Sequence, residues 1–135
     1  MKSFNLKIAT PDGLDFEGEI ESLLVRTVEG DVEILAGHTD FLSALSTGRT
    51  RIIVDGEKRF ASSSGGFVSV KNGEVSMICT TFEFADEIDI NRAKEAKEKA
   101  EAALSSANDN KISEALIKAK LARATSRINV WELNN

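Results

Sequence analysis

The 135-residue sequence is 41% hydrophobic and 29% charged, the balance of one folded domain or a small core with an appendage rather than of a disordered chain. No apolar run approaches the roughly 18 residues of a membrane-spanning helix, and Met1 runs straight into the alternating SFNLKIA, which predicts no presequence to remove. The net charge of −5 divides unevenly: residues 1–87 hold 8 basic and 15 acidic side chains, residues 88–135 hold 9 and 7. An acidic body argues against nucleic acid as a partner, because phosphate neutralisation supplies most non-specific affinity.

Up to about Phe84 the pattern alternates and turns. Phe4, Leu6 and Ile8 share one face of a first strand, followed by the tight-turn residues TPDG. IESLLVRTV, RTRIIV, KRFASSS, FVSV and EVSMICTTF are the next strand candidates. Asp55-Gly56 and Asn72-Gly73 sit between neighbouring runs and tolerate the positive φ of two-residue hairpins. Crossover helices have no room between the strands, so the sheets are mainly antiparallel: an all-β sandwich or flattened barrel. Cys79, the single cysteine, falls in the apolar VSMICTTF. A buried, inert thiol in a reducing compartment is the expectation.

The period changes at IDINRAKEA, residues 88–96. Asp89 is a good N-cap, and Ala93, Ala96, Ala100, Ala103, Leu104 and Ala107 follow at helical spacing. Glu95 with Lys99, Lys94 with Glu98 and Lys97 with Glu101 stand at i,i+4. SSANDN breaks the pattern, and Asp109 or Asn110 is the next expected cap before a second helix from about Lys111 to Ile128. The short break predicts an antiparallel hairpin. The chain thus divides into a β-sandwich domain, 1–87, and a helical hairpin, 88–135.

The second helix has two apolar faces. Ile112, Ala115, Leu116, Ala119 and Ala122 form one; Ile117, Leu121, Ala124 and Ile128 form the other. It also carries Lys111, Lys118, Lys120, Arg123 and Arg127 against Glu114 alone. A seam made mostly of alanine buries little area, so the hairpin is expected to dock weakly. A basic helix beside an acidic body points to an acidic protein surface or an anionic ligand.

No residue pattern supports catalysis or a metal. His38 is the only histidine and has no ligand set at metal spacing. Ser64-Gly65-Gly66 lacks the Lys-Ser/Thr and the following helix of a phosphate loop, and a tight bend before a strand explains it better.

Five stretches in order, TPDG, EGDVEILAGHTDF at 29–41, LSTGRTRI at 45–52, SSGGFVSV at 63–70 and IDINRA at 88–93, give the chain a resemblance to the epsilon subunit family of bacterial F-type ATP synthases, from Phe4 to about Val130. The resemblance implies a sandwich of about ten strands and a regulatory two-helix domain. It implies a non-catalytic place in the central rotor stalk, bound to the gamma subunit and the c-subunit ring, at the cytoplasmic face of the plasma membrane without inserting into it. The enzyme as a whole translocates protons or sodium ions. The hairpin of many members leaves the sandwich, inserts beside gamma and inhibits ATP hydrolysis. Lys118, Lys120 and Arg123 would then meet acidic segments of the catalytic alpha and beta subunits. Glu29, Asp31 and His38 would face the stalk and ring. The family pattern places glycine where Glu33 stands and prolines near Ala36 and Asp40, so the 29–41 loop is expected to be less stiff here.

Some members hold ATP on the closed hairpin as a regulatory ligand; the resemblance implies no required cofactor. Ile88, Asp89, Arg92 and Ala93 match the first-helix pattern, and Arg123 with Arg127 match the basic pair that completes it. Guanidinium forks pair with phosphate oxygens, and the first helix offers its N-terminus. Apart from the resemblance, the other reading is a free-standing β-sandwich binding module.

Overall fold

The computed structural model describes residues 2–106 and 111–135. Ten strands come first: β1 (Phe4–Thr10), β2 (Gly13–Ile20), β3 (Ser22–Thr27), β4 (Gly30–Leu35), β5 (Phe41–Ala44), β6 (Gly48–Val54), β7 (Glu57–Ser64), β8 (Phe67–Lys71), β9 (Glu74–Ile78) and β10 (Thr81–Phe84). A 3-10 turn over Ala85–Glu87 leads into α1 (Ile90–Ser105) and α2 (Lys111–Asn134). One five-stranded sheet runs β2-β1-β9-β8-β5 and is called sheet A below; sheet B runs β10-β7-β6-β3-β4. Every strand pairing is antiparallel except that of β1 with β9. The sandwich followed by a helical hairpin is the fold that the change of period predicts.

The inward positions make one core. Leu6, Ile8, Leu23, Val25, Ile34, Ile52, Val68 and Met77 are essentially inaccessible, and Phe4 closes one end. The DG and NG pairs behave as their residue types require. Asp55 and Asn72 sit at φ 52° and 51°, with Gly56 and Gly73 both at 79°, the left-handed pair of a two-residue hairpin.

Three readings of the first half need correction. The 29–41 stretch is not one loop: β4 occupies Gly30–Leu35, with Val32 and Ile34 turned to the core, and only residues 36–40 connect it to β5. The strand β2 escapes notice because Asp15, Glu17 and Glu19 dominate it, while only Phe16 and Ile20 reach inward. EVSMICTTF is two strands, not one. The backbone N–H of Cys79 still donates to Ala9 in sheet A (2.9 Å), whereas that of Thr80 donates to Ser64 in sheet B (2.9 Å), so the chain changes sheets between them. Cys79 is buried there, and burial together with the Asp15 carboxylate pushes its thiol up to about 12.

The outer faces of the two sheets differ. On sheet A the pairings Leu14–Ala9, Ala9–Ile78, Ile78–Phe67 and Phe67–Ala44 lay an apolar row across all five strands. Leu14, Ile78 and Phe67 are each more than half exposed, and Leu42, one step along β5, is 71% exposed. Sheet B instead carries α2, which packs on β7, β6 and the 3-10 turn.

The helical half forms with adjustments. Asp89 caps α1 by accepting the backbone N–H of Arg92 at 3.1 Å. Ala93 and Ala100 are buried in the seam, but Ala96 is exposed, a shift of the stripe toward Lys97. The three ion pairs expected on α1 do not close; among the described residues the i,i+4 pair is Lys118 with Glu114 at 2.9 Å on α2. The helix α2 continues to Asn134, past the expected end at Ile128. Of its two apolar faces, Ala124 and Ile128 are buried with Ile117 and Leu121 half-buried, while Ala115, Leu116, Ala119 and Ala122 face outward. Ala107, the caps expected at Asp109 or Asn110, and the side chains of Lys111 and Ile112 lie outside the described residues.

The SSGG bend is another place where the chain changes sheets, from β7 in sheet B to β8 in sheet A. Gly65 and Gly66 have φ of 67° and 86°; a Cβ on Gly66 would lie 1.6 Å from the carbonyl oxygen of Ile78. The bend therefore packs backbone to backbone against the Cys79–Thr80 crossing, which only glycine permits. Gly66→Ala is expected to lower stability by roughly 2–4 kcal/mol, from strain at positive φ plus displaced backbone. Gly73→Ala, at similar φ but with nothing within 4 Å of the added Cβ, should cost about 1 kcal/mol. Urea unfolding followed by circular dichroism separates the two; equal losses would mean that contact with Ile78 plays no part.

Candidate functional site

The helical hairpin docks on sheet B through few contacts. Ser62 of β7 and Ser126 of α2 place their buried hydroxyls 2.8 Å apart. Beside them Ala85, Ile88 and Val130 form a small apolar cluster completed by Phe60 and Trp131, separate from the sandwich core. Arg127, one residue on from Ser126, reaches Glu83 of β10 with Nε 3.3 Å from the carboxylate.

These contacts enclose a pocket of about 410 Å³ lined by Glu83, Glu87, Asp89, Arg92, Ala93, Ala96 and Arg127. The pocket joins three elements: the end of sheet B, the first turn of α1 and the middle of α2. Of the six residues matched to an ATP pattern, Asp89, Arg92, Ala93 and Arg127 come together here. Ile88 lies beneath, buried in the apolar cluster, and Arg123, one turn earlier on α2, does not line the pocket.

Two carboxylates that the sequence reading did not single out belong to the pocket. Glu87 accepts the backbone N–H of Phe84 at 3.0 Å and so holds the 3-10 turn. Glu83 is half-buried. Burial pushes its carboxyl above the ordinary range despite the pull of Arg127, and Glu87 adds to the upward shift. The signal for Glu83 was its place one residue before the end of the last strand, where it shares a register position with Ser62. The lining thus sets three carboxylates against two guanidiniums.

The proposed stalk-facing residues do not form one patch. Asp31 begins β4 and is held by Arg26 at 2.5 Å, with Arg49 at 3.9 Å. The hydrogen bond from Arg26, then the charges of Arg26 and Arg49, keep its carboxyl below the ordinary range. Glu29 is exposed in the turn before it. His38 lies in the turn past the other end of β4, whose Leu35 is roughly 13 Å from Asp31 at strand rise. Its Nδ1 is 2.8 Å from the Thr39 carbonyl, so that nitrogen carries the proton, and the ring stands edge-on to Phe41. Of the basic residues on α2, Lys118 and Lys120 are exposed and Arg123 is half-buried. A larger, more open cleft of about 650 Å³ runs between Arg26, Arg49 and the last turns of α2. Its two guanidiniums are the ones gathered around Asp31, which leaves little charge to offer a ligand.

A family model described as the ATP synthase delta/epsilon chain, beta-sandwich domain, matches residues 3–85, and the corresponding long alpha-helix domain matches residues 86–132. The chain belongs to the ATP synthase delta/epsilon chain family. It is 35% identical over 130 residues to the ATP synthase epsilon chain of Bacillus pumilus, spanning 96% of this chain and 98% of that one. Identity to the Clostridium novyi epsilon chain is 40% over 130 residues with the same coverage. A chain of the Euglena gracilis mitochondrial ATP synthase, in an assembly of OSCP, F1 and c-ring, shares the fold at a TM-score of 0.81 and 23% identity, over 98% of this chain and 81% of that one. The family inferred from five short stretches is thus borne out across both halves, and the free-standing module is set aside.

The upward push of burial on the Glu83 carboxyl predicts that docking depends on pH. A carboxyl whose folded value lies above its ordinary value stabilises the docked form below the ordinary value, and that contribution is lost as pH rises through the folded value. Trp131, the single tryptophan, sits at the docking contact and reports it. The thermal midpoint of Trp131 emission is expected to rise between about pH 8 and about pH 5 more in wild type than in Glu83→Gln. Equal slopes in the two chains would remove Glu83 from the docking balance.

Proposed function

We propose that this chain is a non-catalytic rotor-stalk subunit. Its β-sandwich seats on the gamma subunit and meets the c-subunit ring, and its hairpin restrains ATP hydrolysis by the catalytic alpha and beta subunits. The supporting observation is the apolar row Leu14–Ala9–Ile78–Phe67–Ala44 on sheet A, with Leu42 beside it. An exposed row crossing five strands is the surface of a bound protein partner rather than of a free monomer. The hairpin docks on the opposite sheet, so it is free to leave without disturbing the seat. No helix among the described residues is long and apolar enough to cross a membrane, which accords with a peripheral place at the cytoplasmic face of the plasma membrane.

Regulation follows from the weak docking. Once α2 leaves sheet B, its outward face of Ala115, Leu116, Ala119 and Ala122 and its inner face of Leu121, Ala124 and Ile128 both become available. Lys118, Lys120 and Arg123 then present positive charge to acidic segments of the catalytic subunits. ATP in the pocket of Asp89, Arg92, Ala93 and Arg127 bridges α1, α2 and sheet B and favours the docked form, since a ligand stabilises the state that binds it. Arg123 acts on this pocket only after a change of rotamer or a small shift of α2.

The seat is tested by Phe67→Asp with Ile78→Asp. Both side chains are more than half exposed, so folding should survive. The expected outcome is a chain with the wild-type circular dichroism spectrum that no longer co-purifies with gamma. Retained co-purification would move the seat to another face.

A further inference from the structure

Two turns of the sandwich share one backbone geometry and differ in what holds the glycine nitrogen. Asp55-Gly56 joins β6 to β7 at φ of 52° and 79°, and Asn72-Gly73 joins β8 to β9 at 51° and 79°. The Gly56 N–H donates to the Glu21 carboxylate at 2.8 Å. Among the described residues, neither the Gly73 N–H nor the Asn72 side-chain amide has a hydrogen-bond partner. Residues 71–74 are all exposed, and the space that a Cβ on Gly73 would fill is empty. We propose that Asn72 is a self-modifying site, at which the chain converts its own asparagine to aspartate or isoaspartate and gains a negative charge.

The step needs only water. The Gly73 backbone nitrogen loses its proton and bonds to the side-chain carbonyl carbon of Asn72. The bond from that carbon to the amide nitrogen breaks, and ammonia leaves carrying the proton. Water then opens the succinimide at either carbonyl, giving aspartate, or isoaspartate with the main chain running through the side chain. Nothing is oxidised or reduced. Glycine permits the approach because it puts no Cβ beside the attacking nitrogen, and Asn72-Gly73 is the one Asn-Gly pair in the chain. An exposed side chain without a partner samples its rotamers in ps–ns. The backbone is the slower part. The Asn72 N–H donates to Asp40 Oδ1 at 3.1 Å, so the turn has to loosen before nitrogen meets carbon, as exposed turns do by local opening.

That same bond sets the consequence. Asp40 ends the 36–40 connection that carries His38, and its carboxylate ties that connection to the turn. A carboxylate created on residue 72 stands close to the Asp40 carboxylate, and like charges at short range oppose each other. Isoaspartate also lengthens the main chain at a turn whose length fixes the strand register, so Lys71 no longer faces Glu74. The connection before β5 is released. The apolar row, which crosses β8 and β9 at their opposite end through Phe67 and Ile78, is left alone.

Peptide mapping by mass spectrometry, with isoelectric focusing, of the folded full chain held at a series of pH values tests this. A more acidic species should accumulate, its new carboxylate mapped to residue 72 and part of it isoaspartate. The rate should climb by up to about tenfold per pH unit between about pH 6 and about pH 9, because the reacting nitrogen ionises far above the side chains that titrate there. Gly73→Ala, whose added Cβ meets nothing, should fold and lose most of the conversion. Asn72→Asp should focus with the product from the start. A folded chain that stays intact at Asn72, while the chain unfolded in urea converts there, overturns the proposal, since the native turn would then protect the site. Conversion mapped to another asparagine with Asn72 intact overturns it, as does an undiminished rate in Gly73→Ala. Isoaspartate forming at Asp55 as fast as at residue 72 overturns it too, because the free glycine nitrogen would then decide nothing. The ring resonances of His38, which stands edge-on to Phe41 at 5.8 Å, should move in the converted chain; unmoved resonances overturn the release of the connection and leave the modification standing.

Discussion

A pair of serines stands where a helix packed on a sheet ordinarily places leucines. Ser62 and Ser126 are both buried, and each satisfies the other across 2.8 Å. A neutral hydrogen bond of this kind contributes only about 1 kcal/mol net, since water replaces both partners when the surfaces separate. Two apolar side chains at those positions would lose a solvation gain on parting; two hydroxyls lose almost nothing. The remaining docking contacts are apolar, with Ala124, Ile128 and Val130 of α2 buried. The apolar cluster contains Ala85, Ile88 and Val130 with Phe60 and Trp131, and the seam of α1 buries only Ala93 and Ala100. The sandwich has its own continuous core, so separation of the hairpin leaves that core intact.

From this constraint the division of labour follows. Sheet A and sheet B share one core but offer unlike outer faces, one apolar and exposed, the other occupied by a helix held through hydroxyls and an ion pair. Under the proposed function, a subunit built this way holds a partner by one face and releases an element from the other. The Arg127–Glu83 pair and the pocket around it sit at the hinge between the two. A ligand or a proton arriving there acts on docking without touching the sheet A face. The backbone crossings at Gly65-Gly66 and at Cys79-Thr80 lie against each other, which ties the two sheets together at that end.

Much of this was legible in the sequence, for physical reasons. Asp55-Gly56 and Asn72-Gly73 specify their hairpins because few other pairs adopt two left-handed residues in succession. Asp89 specifies a helix start because its carboxylate meets an orphan N–H. The edge strand β2 was missed although Asp15, Glu17 and Glu19 alternate with Phe16, Gly18 and Ile20, because the glycine interrupts the apolar face. The break in EVSMICTTF was hidden as well, because both β9 and β10 are apolar and the change of sheet needs only two residues with no turn signature. At the site, Asp89, Arg92 and Arg127 were found through a motif, whereas Glu83 and Glu87 were not. They lie on a strand end and a turn that period alone does not connect to the helices. Only the docked geometry shows that Arg127, expected for phosphate, already pairs with the Glu83 carboxylate.

The central claim is that the hairpin acts by leaving sheet B. The Ser62 and Ser126 hydroxyls already point at each other, so cysteines at both positions need only close to about 2.05 Å between sulfurs to form a disulfide. The native Cys79 is buried with its thiol pushed up to about 12, and does not compete. The most direct measurement is ATP hydrolysis by the assembled complex carrying Ser62→Cys and Ser126→Cys, oxidised and then reduced. The predicted result is faster hydrolysis in the oxidised complex, with the hairpin held down, and return of inhibition on reduction. Equal hydrolysis in the two states, with the cross-link shown to be complete and the subunit still bound, would contradict the account.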